Sequence, residues 1–325
     1  MKLSLARLAC PLLLGVLAPA QAWAQGQDST PSERDIMILR EILPGEYNNG
    51  NQAYFDTRRK LPDAQRHPQT HLSVTPIEAS ELGGDVFLAT ETPSGDDAQP
   101  RHSLYSFTTD NAAGAVRMKT YQLRSAPEAG FTGGEAAYAE GCDLLWRLQM
   151  GQYRATLESK GCELGPDAQA ASEMVFSDRG LLINRSGVDG DDNAFLRARD
   201  FSCYIDVPGV GGGVDVPYKR FEIPSLHDLG GEEWITTDQG EEIGLRLFRV
   251  YWPINNYEGL FTRPSFVIYL MQKDENGKPF TDGYSFTGQD VERLGINLKW
   301  ALASCAMLPI TDVTPYLAHE PRAER

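Results

Sequence analysis

The feature that most constrains this chain is a long series of short alternating segments separated by turn residues. Thr70 to Thr75, Asp85 to Glu91, Ser103 to Thr108, Val116 to Leu123, Leu144 to Gln149 and Tyr153 to Leu157 each alternate apolar with polar side chains. Glu173 to Phe176, Gly180 to Asn184 and Phe195 to Ile205 continue the series, with Gly, Asn, Asp or Pro clusters between segments. A period of two sends successive side chains to opposite faces of a sheet. Short strands at regular spacing, rich in Val, Thr, Tyr and Phe, make an antiparallel barrel or a sandwich. The expectation is an all-β chain built on a barrel. One short helix precedes it: Ile36, Ile38, Leu39 and Ile42 lie near helical spacing after Ser32, and Pro44-Gly45 ends the run.

Beyond the barrel, Val207 to Asp215 contains Pro-Gly-Val-Gly-Gly-Gly and reads as a linker or a wide hairpin turn. No Gly-Lys-Ser/Thr follows, so it is not a phosphate-binding loop. Ile243 to Trp252 and Ser265 to Gln272 are further strand candidates, whereas Asp290 to Met307 suits a helix or a strand. The tail after Pro315 is expected to be loose, and no internal repeat is visible. The resulting division is a signal segment at 1–24, a barrel domain at 33–207 and a β-rich C-terminal extension at 216–313.

The N-terminus has the pattern of an export signal. Lys2 and Arg7 precede an apolar stretch from Leu8 to Leu17, shorter than the ~20 residues that span a bilayer. Small residues bracket two cleavage points, Ala20-Gln21-Ala22 and Ala22-Trp23-Ala24, and cleavage after Ala24 is preferred. Cys10 fits a lipoprotein signal poorly, because most of the apolar run lies after it. Gln25 to Ser32 is a polar lead-in, and no later stretch suits a transmembrane segment. The mature protein is expected in the periplasm or outside the cell.

Four cysteines then remain, Cys142, Cys162, Cys203 and Cys305. In an oxidising compartment an even number favours two disulfides over metal ligation, and three pairings are open. The local pair Cys142–Cys162 is preferred, since a glycine precedes each and a hairpin-like segment lies between. That choice leaves Cys203 with Cys305. The chain has 30 Lys+Arg against 45 Asp+Glu, a net charge of -15. Nucleic acid is therefore not an expected partner, because neutralising phosphates takes basic clusters.

The Gly45 to Ala53 segment after the helix, the Gly141-Cys142 and Gly161-Cys162 pairs and the Asp189-Gly190 turn together resemble the CpcT/CpeT family of phycobiliprotein chromophore lyases. Leu43-Pro44-Gly45-Glu46-Tyr47-Asn48-Asn49-Gly50-Asn51-Gln52-Ala53 is similar to that family's opening, a Gly–aromatic–Asn–Gln-Ala pattern after a first helix. His71-Leu72 followed by Pro76, then Val86 to Glu91, look like its next elements. Gly141-Cys142, Trp146, Tyr153, Gly161 and Cys162 match its glycine-cysteine and hairpin pattern, and Arg185 through Asp189-Gly190 its closing turn. The likeness runs in order from about Asp35 to Ile205.

The resemblance implies a lipocalin-like antiparallel barrel that binds a hydrophobic small molecule, a bilin (linear tetrapyrrole), and transfers it to a cysteine of an acceptor protein. No cofactor is required. The transferable ligand-binding positions are Tyr47, Asn49, Gln52, His71, Glu91, Arg101 and Tyr121. From side-chain chemistry, Arg101 or His71 suits a propionate, Glu91 the pyrrole nitrogens, and Tyr47 and Tyr121 the walls. The chain departs from the family at Pro100-Arg101-His102-Ser103, where the family has Tyr-Arg-Gln-Arg, and in its export signal and long extension. The alternative is a non-catalytic periplasmic protein that binds another hydrophobic ligand or an envelope partner.

Other motifs have ordinary explanations. His67 and His71 have helical metal spacing, but Pro68 and the strand pattern speak against a helix, and no metal is expected. Asp189, Asp191 and Asn193 match the first half of a calcium loop, yet Ala194 stands at position six and Asp200 at position twelve. A solvated turn explains them better. No Gly-x-Ser-x-Gly, His-Glu-x-x-His or Cys-x-x-Cys occurs, and no nucleophile–base pair is evident, so no catalytic residue is assigned. Glu241 and Glu242 are adjacent on a strand and point to opposite faces. Tyr251, Trp252, Phe266, Tyr269, Tyr284 and Phe286 suit a core better than a ligand site.

Overall fold

The computed structural model describes residues 30–95, 98–158, 162, 171–185, 192–209, 216–256, 259–309 and 313–317. The signal segment, the Asp189–Asp191 turn and most of the glycine-rich stretch after Gly209 lie outside the described residues. Helix α1 (Pro31–Ile42) begins with a reciprocal cap. The Thr30 hydroxyl accepts the Glu33 N–H and the Glu33 carboxylate accepts the Thr30 N–H, which satisfies two donors that a helix start leaves bare. Ile38, Leu39 and Ile42 form its buried face.

There follow β1 (Gly45–Asn48), α2 (Gly50–Arg58), β2 (Thr70–Pro76), β3 (Asp85–Pro93), β4 (Arg101–Asp110) and β5 (Ala115–Leu123). The two-residue β6 (Ala137–Tyr138) precedes β7 (Leu144–Gln149), β8 (Gln152–Leu157), β9 (Ala171–Ser177), β10 (Gly180–Arg185) and β11 (Asp192–Arg197). Neighbours pair antiparallel in the order β4-β3-β2-β1-β11-β10-β9-β8-β7-β5, and β5 pairs back to β4. Ten strands thus close into a barrel, a larger ring than the about eight of a lipocalin. β6 adds to β5 outside the ring.

Inward-facing Leu72, Val74, Phe87, Ala89, Phe107, Met118, Trp146, Tyr153, Phe176 and Ile183 pack with the buried face of α1 into one core. Closeness is tightest between β10 and β11. Gly180 has φ 144°, and a Cβ there would lie 2.0 Å from the Phe195 carbonyl oxygen, so only glycine fits.

The extension forms two four-stranded sheets. One has the order β13-β12-β19-β18, from β12 (Asp200–Pro208), β13 (Tyr218–His227), β18 (Arg293–Asn297) and β19 (Leu302–Met307). The other has the order β14-β15-β16-β17, from β14 (Leu229–Thr236), β15 (Glu242–Asn256), β16 (Gly259–Lys273) and β17 (Pro279–Thr287). Phe201, Cys203, Ile205 and Ala303 of the first meet Leu245, Leu247, Phe266, Ile268 and Leu270 of the second in a separate core. This is a β-sandwich.

Three expectations are corrected. Phe195 to Ile205 is not one strand: the chain breaks at Ala198-Arg199, where Ala198 N–H bonds the Glu46 carbonyl and Arg199 N–H bonds the Asp228 carboxylate. The barrel therefore ends at Arg197, short of the expected boundary at 207, and β12 belongs to the sandwich. Asp290 to Met307 resolves as two strands, because Leu294, Ile296, Ala303 and Cys305 face the core with a period of two. The start of the tail is held: α3 (Thr314–Leu317) places Leu317, with Val313, in the barrel core, and residues 318–325 lie outside the described residues.

Both disulfides take the preferred pairing. Cys142–Cys162 has a sequence separation of 20, and Cys203–Cys305 ties directly opposed residues of β12 and β19 across a separation of 102. Among the described residues no helix is long and apolar enough to cross a membrane. Loop entropy grows with length, so replacing Cys203 and Cys305 together by serine is expected to cost about 5 kcal/mol, against about 3 for Cys142 and Cys162. Guanidinium unfolding of the two double variants measures the difference.

Candidate functional site

One end of the barrel interior is polar. Glu91 and Arg101 are directly opposed on β3 and β4, and Arg101 Nη2 donates to Glu91 Oε2 at 3.0 Å. Arg185, the last residue of β10, reaches across from another wall and donates to Glu91 Oε1. Arg185 is only 5% exposed, and among the described residues its Nη1 has no partner. Ser103, Tyr105, Thr120 and Gln122 add polar groups, and Met118, Ala171 and Ile183 complete the lining. Burial, together with the Glu91 charge, pushes the Tyr105 hydroxyl well above the usual phenol range. The void they enclose is about 20 Å³, room for roughly one water. The remaining interior is filled by apolar side chains.

The other expected ligand positions do not join this group. Tyr47 is buried in the barrel core and donates to the Leu43 carbonyl at 2.6 Å. Asn49 is a clasp: its Nδ2 donates to the Pro68 carbonyl at 3.0 Å and to Asn193 Oδ1 at 2.9 Å, and its Oδ1 accepts the Thr70 N–H at 2.6 Å. Gln52 similarly holds the start of β11, donating to the Asp192 carbonyl and accepting the Ala194 N–H. These amides satisfy backbone that would otherwise be bare at the barrel rim. His71 and Tyr121 fall on the outward face, because each alternates with an inward residue. Tyr121 packs against Tyr138 at 5.4 Å. His67 bonds Asp56 at 2.7 Å, and the described residues hold no group of three metal-ligating side chains. Arg185 was missed, although its sign was legible: it shares the strand face of Leu181 and Ile183.

A second site lies at the seam of barrel and sandwich. A cleft of about 240 Å³ is lined by Tyr54, Leu196, Leu229, Phe248, Val250 and Tyr251, with Asn48, Asn51, Gln69 and Arg249 as its polar groups. Phe55 packs edge-on to Tyr251 at 5.2 Å. Beside the cleft Asp228 is 0% exposed; it accepts Arg199 Nε at 2.7 Å and Arg199 N–H at 2.9 Å, and Arg249 Nε lies 3.1 Å away. Nearby His71 and His227 stack at 5.6 Å, and Glu46 lies 2.7 Å from His71 Nε2. The segment from Leu43 to Ala53, which carries the family resemblance, thus builds one wall of this seam. Two larger hollows, of about 680 Å³ along Gln122–Ala137 and about 720 Å³ beside Trp300, are lined mainly by polar atoms. No family model matches the chain, and no curated protein matches it.

The seam is expected to weaken in acid. Burial raises the Glu46 pKa, but hydrogen bonds from His71 and Ser73 outweigh it and hold the carboxyl below its ordinary range. Burial and the neighbouring His71 hold His227 below the usual imidazole value. Both groups bind protons more readily when unfolded, so their contribution is complete above the unfolded values and lost as pH falls. For His227 the loss begins near pH ~6.5, and for Glu46 near ~4.3. Thermal melts between about pH 7 and 5 should show falling stability, and His227→Gln should flatten that slope.

Proposed function

We propose that this protein is a non-enzymatic binding protein that works outside the cytoplasm and holds a small ligand with a flat apolar body in the cleft between barrel and sandwich. The observation that carries this reading is the cleft itself. It combines aromatic and aliphatic walls with a few convergent polar groups at the junction of two domains, where ligand sites concentrate. Asn48, Asn51 and Gln69 are amides, which orient a ligand by hydrogen bonding without titrating. Two disulfides suit an oxidising compartment, in keeping with the export signal at 1–24. The barrel interior is a packed scaffold in this reading.

Native mass spectrometry of protein purified from the cell envelope tests it. The expected result is a bound small molecule that is absent from Val250→Trp, a variant that fills the cleft while leaving the fold intact by circular dichroism. A ligand that persists in Val250→Trp overturns the assignment.

A second reading is favoured by the cluster of Glu91, Arg101 and Arg185. A bilin, the ligand implied by the CpcT/CpeT resemblance, carries propionates that two guanidiniums could hold while Glu91 takes the pyrrole N–H groups. With only about 20 Å³ free inside, the tetrapyrrole would lie across the barrel mouth. Transfer would then mean holding it there for an acceptor protein's cysteine to add, orientation lowering the entropic barrier. Titration with biliverdin should give a saturable red-shifted absorbance, weakened about tenfold or more in Arg101→Ala by loss of a charge-assisted bond. An unchanged spectrum at micromolar bilin rejects this reading.

A further inference from the structure

We infer that the ligand of the inter-domain cleft is an anion, an aromatic carboxylate of one or two rings, whose charge is received by Arg249. The inference rests on the cleft reading above and adds the chemical class. Its basis is a charge imbalance in the seam. Asp228 is fully buried and is shared by two guanidiniums, those of Arg199 and Arg249. Arg197 adds a third cation, its Nη2 donating to the Pro44 carbonyl at 3.1 Å. Glu46 is engaged by His71 and Ser73, and Asp200 acts on His227 from the adjoining strand. Around Asp228 itself, two guanidiniums therefore share one carboxylate. This occurs in a chain whose net charge is -15.

The geometry of the two guanidiniums agrees with that count. Arg199 Nη2 is buried without a partner, and Arg249 Nε, though 3.1 Å from Asp228 Oδ2, makes no aligned hydrogen bond. Arg249 Nη2 donates to the Arg197 carbonyl, which fixes the side chain across the seam between β11 and β15. Burial, and after Asp228 the like charge of Arg199, act on Arg249, and the net effect lowers its pKa. An arginine nevertheless stays charged in a protein. A buried charge left uncompensated is costly unless a counter-charge reaches it.

Of these arginines, only Arg249 belongs to the cleft lining. A carboxylate entering there would restore the balance through charge-assisted hydrogen bonds, for which guanidinium geometry is suited. The walls specify the rest of the molecule. Tyr54, Phe248 and Tyr251 favour a flat ring by stacking or edge contact. The volume of about 240 Å³ is below the ~300–1,000 Å³ typical of drug-sized ligands, which sets the limit of one or two rings.

The test uses the full mature chain and a matched pair of probes, 2-naphthoate and the neutral 2-naphthalenemethanol, by isothermal titration. The acid should bind at least about tenfold more tightly than the alcohol. Arg249→Gln should remove that preference, and Arg249→Lys should restore part of it. Arg249→Gln leaves Arg199 and Asp228 as a one-to-one pair and Arg249→Lys keeps the second cation, so both should fold, as thermal melts will show. Equal binding of the two probes, blocked by Val250→Trp, would overturn the anion inference and leave the cleft reading standing. A preference for the acid that survives Arg249→Gln would also overturn it. Binding of neither probe, or binding that Val250→Trp does not block, would remove the cleft reading and the inference together.

Discussion

Strand β1 is four residues long, yet it closes the barrel. It pairs with β2 on one side, Tyr47 opposite Leu72, and with β11 on the other, Tyr47 opposite Arg197 and Asn48 opposite Leu196. The second pairing joins the first and last strands of the ring, the contact of greatest sequence separation in it. Without it two edges of unpaired backbone would be exposed, and the core behind them with them. So short a ladder contributes few hydrogen bonds, and the amide clasps of Asn49 and Gln52 reinforce it from α2. The closure also sets the second half of the molecule, because Arg199, where the chain turns into the sandwich, is two residues beyond the pairing at Arg197.

The same electrostatic arrangement occurs twice, with different surroundings. At the barrel mouth Glu91 lies between Arg101 and Arg185; at the seam Asp228 lies between Arg199 and Arg249. In each case one carboxylate is held by two guanidiniums. At the barrel mouth the side chains of five strands close around the carboxylate and leave room for about one water. At the seam two domains meet imperfectly, and the gap between them is large enough for a small molecule. The difference in what each cluster can do comes from packing rather than from the charges.

The alternation of the strands made the all-β barrel legible, since a period of two survives in every turn-bounded segment, and the glycines before Cys142 and Cys162 with the hairpin-like segment between them pointed to the disulfide pairing. The sheet change inside Phe195 to Ile205 was not legible, because alternation continues through Arg199 while the pairing partners change. Within the candidate sites Glu91 and Arg101 were legible as neighbours of one hairpin. His71 lies apart from the group around Glu91 because its face depends on register: Leu72 points in, so His71 points out toward His227. The cleft left no local trace, since its walls come from Asn48 and Tyr54 at one end of the chain and Phe248 and Tyr251 far along it.

The amino-acid sequence by itself determined the local conformations: the capped helix after Thr30, the strands and their turns, and the apolar face of each strand. These depend on neighbours within a few residues, where backbone preference and side-chain period act. The tertiary structure alone decided which strand closes the ring, where barrel gives way to sandwich, and that two arginines would share one buried aspartate beside an apolar cleft. Those outcomes are set by contacts between residues far apart in the chain, whose energies exist only once both folded surfaces are present to meet.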